Sequence, residues 1–197
     1  MQAKKITLCV ILTFTFCLMS CAYQFQDSHN PLKSMEIERI YVVNFENMTF
    51  RPGVEQAFTT AMVREIEKSN SLKLVSSEKS ADAILTGKVM SADTAVSSTR
   101  ATQIDAIKQV SVATEYYSNV TCLVTLKDRF GREIFSQSIN SSKTYPGAVC
   151  SPSSSIICLA DQSSTIGLTN ESEQRMAIDF LATQMMASMF QRMISVF

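Results

Sequence analysis

The sequence predicts an α+β fold, and three observations predict it. Residues 110–126 alternate apolar and polar side chains with period two, the pattern of a strand with one packed and one wet face. Asp128-Arg129-Phe130-Gly131 follows as a hairpin turn, with glycine where a positive φ is needed, and 132–145 returns as the partner strand. Two other segments, about 53–69 and about 171–195, carry their apolar residues at helical spacing instead.

The chain opens with a targeting segment. Lys4 and Lys5 precede Ile6–Met19, an uncharged apolar run of 14 residues, short of the ~20 that cross a bilayer as a helix. Small Ser20 stands directly before Cys21. Leu18-Met19-Ser20-Cys21 therefore reads as the end of a lipoprotein signal, cut before a cysteine that then carries diacylglycerol and an N-acyl chain. An ordinary cleaved signal and an uncut anchor are the alternatives. The expected organisation is a signal peptide at 1–20, a polar lipidated tether at 21–35 and one domain at 36–197. Without the signal and its two lysines, 16 basic residues stand against 18 acidic ones, a net charge of −2. Nothing in that balance resembles a nucleic-acid surface.

Cys122, Cys150 and Cys158 remain once Cys9 and Cys17 leave with the signal and Cys21 takes the lipid. An exported chain meets an oxidising compartment, so Cys150 and Cys158 are candidates for a local disulfide, with two free thiols as the alternative. Cys122 falls on the packed parity of its strand, where a thiol acts as a small hydrophobe.

In chain order, Ile37–Phe45 is the first strand, apolar on both faces and so expected to be central or covered on two sides. Asn47-Met48-Thr49 reads as a turn, and Pro52-Gly53 starts the first helix. Val54, Ala57, Phe58, Ala61, Met62 and Ile66 form its core stripe, with Arg51 and Glu55 among the polar residues on the other side. Leu72–Val75 is a short strand, and 83–90 is another, whose Gly87 marks a bulge or a close backbone approach. Residues 91–109 turn polar and small, leaving a continuing strand, a long hairpin loop or a short helix at 101–108 open. The 110–126 strand would reach nearly 60 Å unbroken at ~3.4 Å per residue, so a bend or break is expected near Ser118. Pro146–Thr169 reads as a long irregular segment. The final helix places Glu171 and Glu173 in its first turn, at the positive end of its dipole. Its stripe is Ile178, Leu181, Ala182, Met185, Met189, Met193 and Val196, widened by Met176, Phe180, Met186 and Phe190.

No catalytic constellation survives inspection. The single histidine, His29, lies in the tether, which removes Ser-His-Asp and Cys-His arrangements and leaves no second imidazole for a metal. There is no GxGxxG, P-loop, HExxH or CxxC motif. Asp82, Asp93, Asp105 and Asp161 show no spacing that favours a hydrolytic carboxylate pair. The chain is expected not to be an enzyme and to use neither metal nor cofactor.

Several stretches resemble one family. Cys21-Ala22-Tyr23-Gln24-Phe25 is similar to the opening of mature lipopolysaccharide-assembly lipoproteins, the LptE family, although Ala22 replaces the glycine common there. Ile40–Thr49 followed by Pro52-Gly53-Val54-Glu55 resembles that family's first strand and the start of its first helix. Ala81-Asp82-Ala83-Ile84-Leu85-Thr86-Gly87 resembles a further strand of the family, and the Gly131 hairpin and methionine-rich last helix keep its order. The strand-Asn-Thr-helix and AD-x-x-L-x-G patterns also occur in activators of penicillin-binding proteins and in the N-terminal domain of TolB.

The resemblance implies a mixed sheet of about four strands with two helices on one face. It implies a lipid-anchored protein on the periplasmic face of the outer membrane that assembles with and plugs the β-barrel LptD, helping lipopolysaccharide to the outer leaflet. The alternative is an outer-membrane lipoprotein that activates a peptidoglycan synthase. Segments 91–109 and 136–144 are polar on both faces and are expected to outrun the helices. Lys88, Arg100, Lys108 and Lys143 lie in or near that end and are candidate contacts for lipopolysaccharide phosphates.

Overall fold

The computed structural model describes residues 32, 35–69, 71–105, 108–147 and 163–195. The signal segment, Cys21, most of the tether, Cys150 and Cys158 lie outside the described residues. The elements run β1 (Arg39–Val42), β2 (Glu46–Asn47), α1 (Val54–Ser69), β3 (Lys73–Leu74), a 3-10 turn (Glu78–Ser80), β4 (Ala83–Asp105), β5 (Lys108–Asp128), β6 (Glu133–Pro146) and α2 (Ser163–Ser195). They build one mixed sheet of six strands in the order β3-β1-β4-β5-β6, with β2 alongside β4. β1 is parallel to both β3 and β4, whereas β4, β5 and β6 form an antiparallel meander.

Both helices pack on one face of this sheet. Val120, Cys122, Val124 and Leu126 of β5 share a core with Phe58, Met62 and Ile66 of α1 and with Leu181, Met185 and Met189 of α2. The other face is open, with Lys88, Asp93, Ser136, Ser138 and Asn140 exposed on it. β1 is central, as its composition predicts, but it is covered on one side only: Ile40 is buried and Tyr41 half-buried. The sheet exceeds four strands because β2 and β3 add two residues each. The turn expected at Asn47 is also a strand end, whose amide donates to the Arg51 carbonyl and the Glu55 carboxylate, both at 2.7 Å.

At the end of the sheet away from the long hairpin, the Asp82 carboxylate ties β1 to β4. It accepts the Arg39 N–H at 2.9 Å, the Glu38 N–H at 3.3 Å and the Arg39 guanidinium at 2.7 and 3.2 Å. The side-chain bond from Arg39 is the main reason its carboxyl is held down at about 2, with burial working against it. Leu32 and Ile37 are buried in the core at this same end, joined by an Ile37 N–H to Leu32 C=O bond of 3.1 Å. The turn into β6 has Gly131 at φ 81°, as its sequence requires.

Residues 91–105 prove to be strand: β4 simply runs on. β5 passes unbroken through Ser118, and the bends lie to either side of it. Met90 and Ser97 are extra residues on β4, and Thr114 is extra on β5, each where the register shifts. α2 begins at Ser163, eight residues before the expected start, so it takes over part of the segment read as irregular. Glu171 and Glu173 consequently sit within the helix, and the dipole reasoning for them does not apply. Glu171 instead pairs with Arg175 at 3.2 Å on the exposed surface.

Candidate functional site

The apolar core between sheet and helices gives way to one polar rung. The inward series Leu126, Val124, Cys122, Val120 ends at Ser118, which is itself buried. Its hydroxyl lies 3.1 Å from that of Thr94 on β4. Gln174 of α2 donates its amide to the same Thr94 hydroxyl. From the start of α1, the Arg51 guanidinium donates to the Ala92 carbonyl at 3.1 Å and reaches Thr94 Oγ1 at 3.4 Å. Hydroxyls, an amide and a guanidinium satisfy one another here, as polar groups taken out of water must. One rung further, Tyr116 stacks on Tyr145 with centroids 5.9 Å apart.

Past Tyr116 the hairpin of β4 and β5 runs on with its described side chains largely exposed. Residues 95–105 of β4 add roughly 35 Å at ~3.3 Å per residue, paired with the start of β5. The described side chains of Ala95–Ala101 are exposed apart from Ser98, and those of Ser111 and Glu115 on β5 are exposed as well. Segment 136–144 differs from expectation. One of its faces lies under α2, where Lys143 Nζ sits 4.4 Å from the centroid of Phe180.

The four candidate basic residues are spread out. Lys88 projects from the open face and pairs with Glu46 at 2.7 Å. Lys143 projects from the opposite, helix-covered face. Arg100 lies on the bare hairpin opposite Val112, about 40 Å along β4 from Lys88. Lys108 opens β5 in register with Asp105. Of the four aspartates, Asp82 is structural, Asp93 is exposed and Asp161 lies outside the described residues. Cys122 is buried as expected, and desolvation pushes its thiol up to about 12, far from a nucleophile's range. Among the described residues no group of three His, Cys, Asp or Glu side chains is placed to hold a metal.

Arg51 is what the sequence misses. It reads as a solvated residue of the helix surface, yet it stands before α1 and clamps β4. The Thr94–Ser118–Gln174 rung is equally silent in sequence, because three uncharged polar residues far apart carry no spacing signal.

The family model for LptE, described as lipopolysaccharide-assembly, matches residues 37–193. The chain belongs to the LptE family. That makes it a lipopolysaccharide-assembly lipoprotein, of a family that acts at the outer membrane without enzymatic chemistry. Among its described residues no helix is long and apolar enough to cross a membrane. No curated protein gives a significant match. Three solved structures match loosely. The PelC dodecamer from Paraburkholderia phytofirmans is 13% identical with a TM-score of 0.44, covering 80% of this LptE chain and 87% of its own. Lipoprotein GNA1162 from Neisseria meningitidis is 13% identical at 0.41, covering 68% and 94%. Rare lipoprotein B from Shewanella oneidensis is 12% identical at 0.30, covering 75% and 96%. With TM-scores this low, nothing about this LptE chain is drawn from the three.

Proposed function

We propose that this chain assembles with the β-barrel LptD and plugs it with its bare hairpin end, aiding passage of lipopolysaccharide to the outer leaflet. Lipid on Cys21 would hold the tether, residues 21–35, and the domain after it on the periplasmic face of the outer membrane. The observation that carries this reading is the run of β4 and β5 past the Thr94–Ser118 rung. Beyond the Glu115–Pro146 pair it is a two-stranded ribbon, with polar side chains such as Thr99 and Arg100 on opposite faces and no core of its own to join. It suits the polar interior of a membrane barrel, whose walls alternate polar-in and apolar-out. Arg100 and Lys143 have no carboxylate partner among the described residues and would meet lipid phosphates, joined by Lys108 at the tip. Lys88 is already paired and would contribute least.

Photo-crosslinkers placed singly at 95–101 and 113–117 test the proposal in cells. Capture of the barrel from these positions, with little from the polar face of α1, is the expected outcome. Crosslinks confined to the helices, or to a murein synthase, would overturn the plug and favour the activator. Charge removal at Arg100 and Lys143 should weaken lipopolysaccharide binding with no change in melting temperature. The same change at Lys88 should have little effect.

A further inference from the structure

The two edges of the sheet are built differently. At one, β3 is two residues long, too short to template another strand. At the other, β6 runs for 14 residues and, among the described residues, pairs on one side only. The Gly147 N–H donates to the Thr114 carbonyl at 2.9 Å, and the β5–β6 register continues unshifted from there back to Phe135. Antiparallel neighbours alternate between bonded and non-bonded pairs. The N–H and C=O groups of Ser136, Ser138, Asn140, Ser142 and Thr144 therefore point away from β5, and no described residue bonds them.

Sheets usually guard such a row with charge, proline or a bulge. Between Ile134 and Ser142 this strand carries neither charge nor proline, and its register shift lies at its start, beside Lys127. The side chains flanking the row are specific. On the open face they are hydroxyls and amides, already bonding across to β5: Ser136 to Thr125 at 3.2 Å and Asn140 to Thr121 at 2.8 Å. On the helix side Lys143 presents a cation whose described contact is the Phe180 ring.

We infer that β6 takes up an extended segment of the barrel partner as an added strand. Its backbone would bond the outward row, and its side chains on the open face would be hydroxyls or amides that match those of Ser136, Ser138 and Asn140. This rests on the barrel reading above and names the part of the partner that is bound.

Hydrogen exchange decides it, measured on the full chain alone and on its co-purified complex with the barrel. The five outward amides should exchange quickly in the free chain and at least about tenfold more slowly in the complex. Ser138→Pro removes one outward donor and leaves the β5–β6 bonds intact. It should weaken the complex by about fivefold to tenfold, whereas Ser138→Ala, which keeps the N–H, should not. If Ser138→Pro lowers the melting temperature, the exchange comparison on the unaltered chain decides alone. A complex that forms without this protection removes the added strand and leaves the barrel reading standing. Absence of any complex removes both. Protection already present in the free chain would show the edge filled by the chain itself and would overturn the inference.

Discussion

Gly87 shows how much one hydrogen atom can matter. A methyl group at this position would run into the ring of Phe45, which lies directly over the glycine. Gly87→Ala should therefore destabilise the fold by about 1–3 kcal/mol, roughly 3–10 °C in Tm for a domain of this size. In a Phe45→Ala background the ring is gone, and the same change should cost almost nothing further. Thermal melts of the four proteins in that cycle check it. Asp82 offers a second test, through pH. Its carboxyl is held at about 2 against an ordinary 3.8, so the folded state favours the charged form. A depressed carboxyl contributes its stability above the unfolded value and loses it as pH falls. The stability gap between the parent and Asp82→Ala should be constant at neutral pH and close between about pH 4 and pH 2. Arg39 is half-exposed, which screens the pair, and the gap at pH 7 should be about 1 kcal/mol. A gap that persists below pH 2 would show that Asp82 acts through packing and not through its charge.

Among the elements, α2 divides its methionines sharply. Met185, Met186, Met189 and Met193 are buried to within 1% of full exclusion, whereas Met176 is 54% exposed. Met189→Ala leaves a cavity and should cost about 2–4 kcal/mol, with Met176→Ala below ~0.5 kcal/mol; chemical denaturation of the pair reads the difference. The same division explains what the sequence reveals. From Ile178 onward each turn of α2 buries a residue, so the stripe is plain. Among the described side chains of its first turns none is buried before Gln174, and periodicity has nothing to report there. β5 is legible because its packed parity holds from Ser118 to Asp128. β4 is not, because the extra residue Met90 moves the packed face from odd positions, Leu85, Gly87 and Val89, to even ones, Ala92 and Thr94. A strand that changes parity midway looks aperiodic when read as one segment.

For the whole molecule, family membership was visible in local stretches such as Ala81–Gly87, because strand and turn chemistry is written in neighbouring residues. The limits of the candidate site were not. They depend on where the aliphatic core gives way to polar groups, which Gln174, Thr94, Ser118 and Arg51 mark together from separate parts of the chain. The basic residues show the same difficulty from the other side: Lys88 and Lys143 both read as hairpin charges, yet the alternation of the sheet sends them to opposite faces.

The place of β1 in the sheet also bears on how the chain reaches this state. β1 is flanked on both sides by strands that come later, with Arg39 paired to Lys73 and Ile40 to Ala83. A polypeptide delivered from its N-terminus thus offers its first strand before either neighbour exists. The meander of β4, β5 and β6 closes through adjacent turns and can pair as soon as it emerges. Parallel pairing across a longer stretch of chain is the slower event, since more loop entropy is lost before contacts compensate. The part nearest the tether, with Leu32 and Ile37, is thus the last to lock, and the part farthest from it the first.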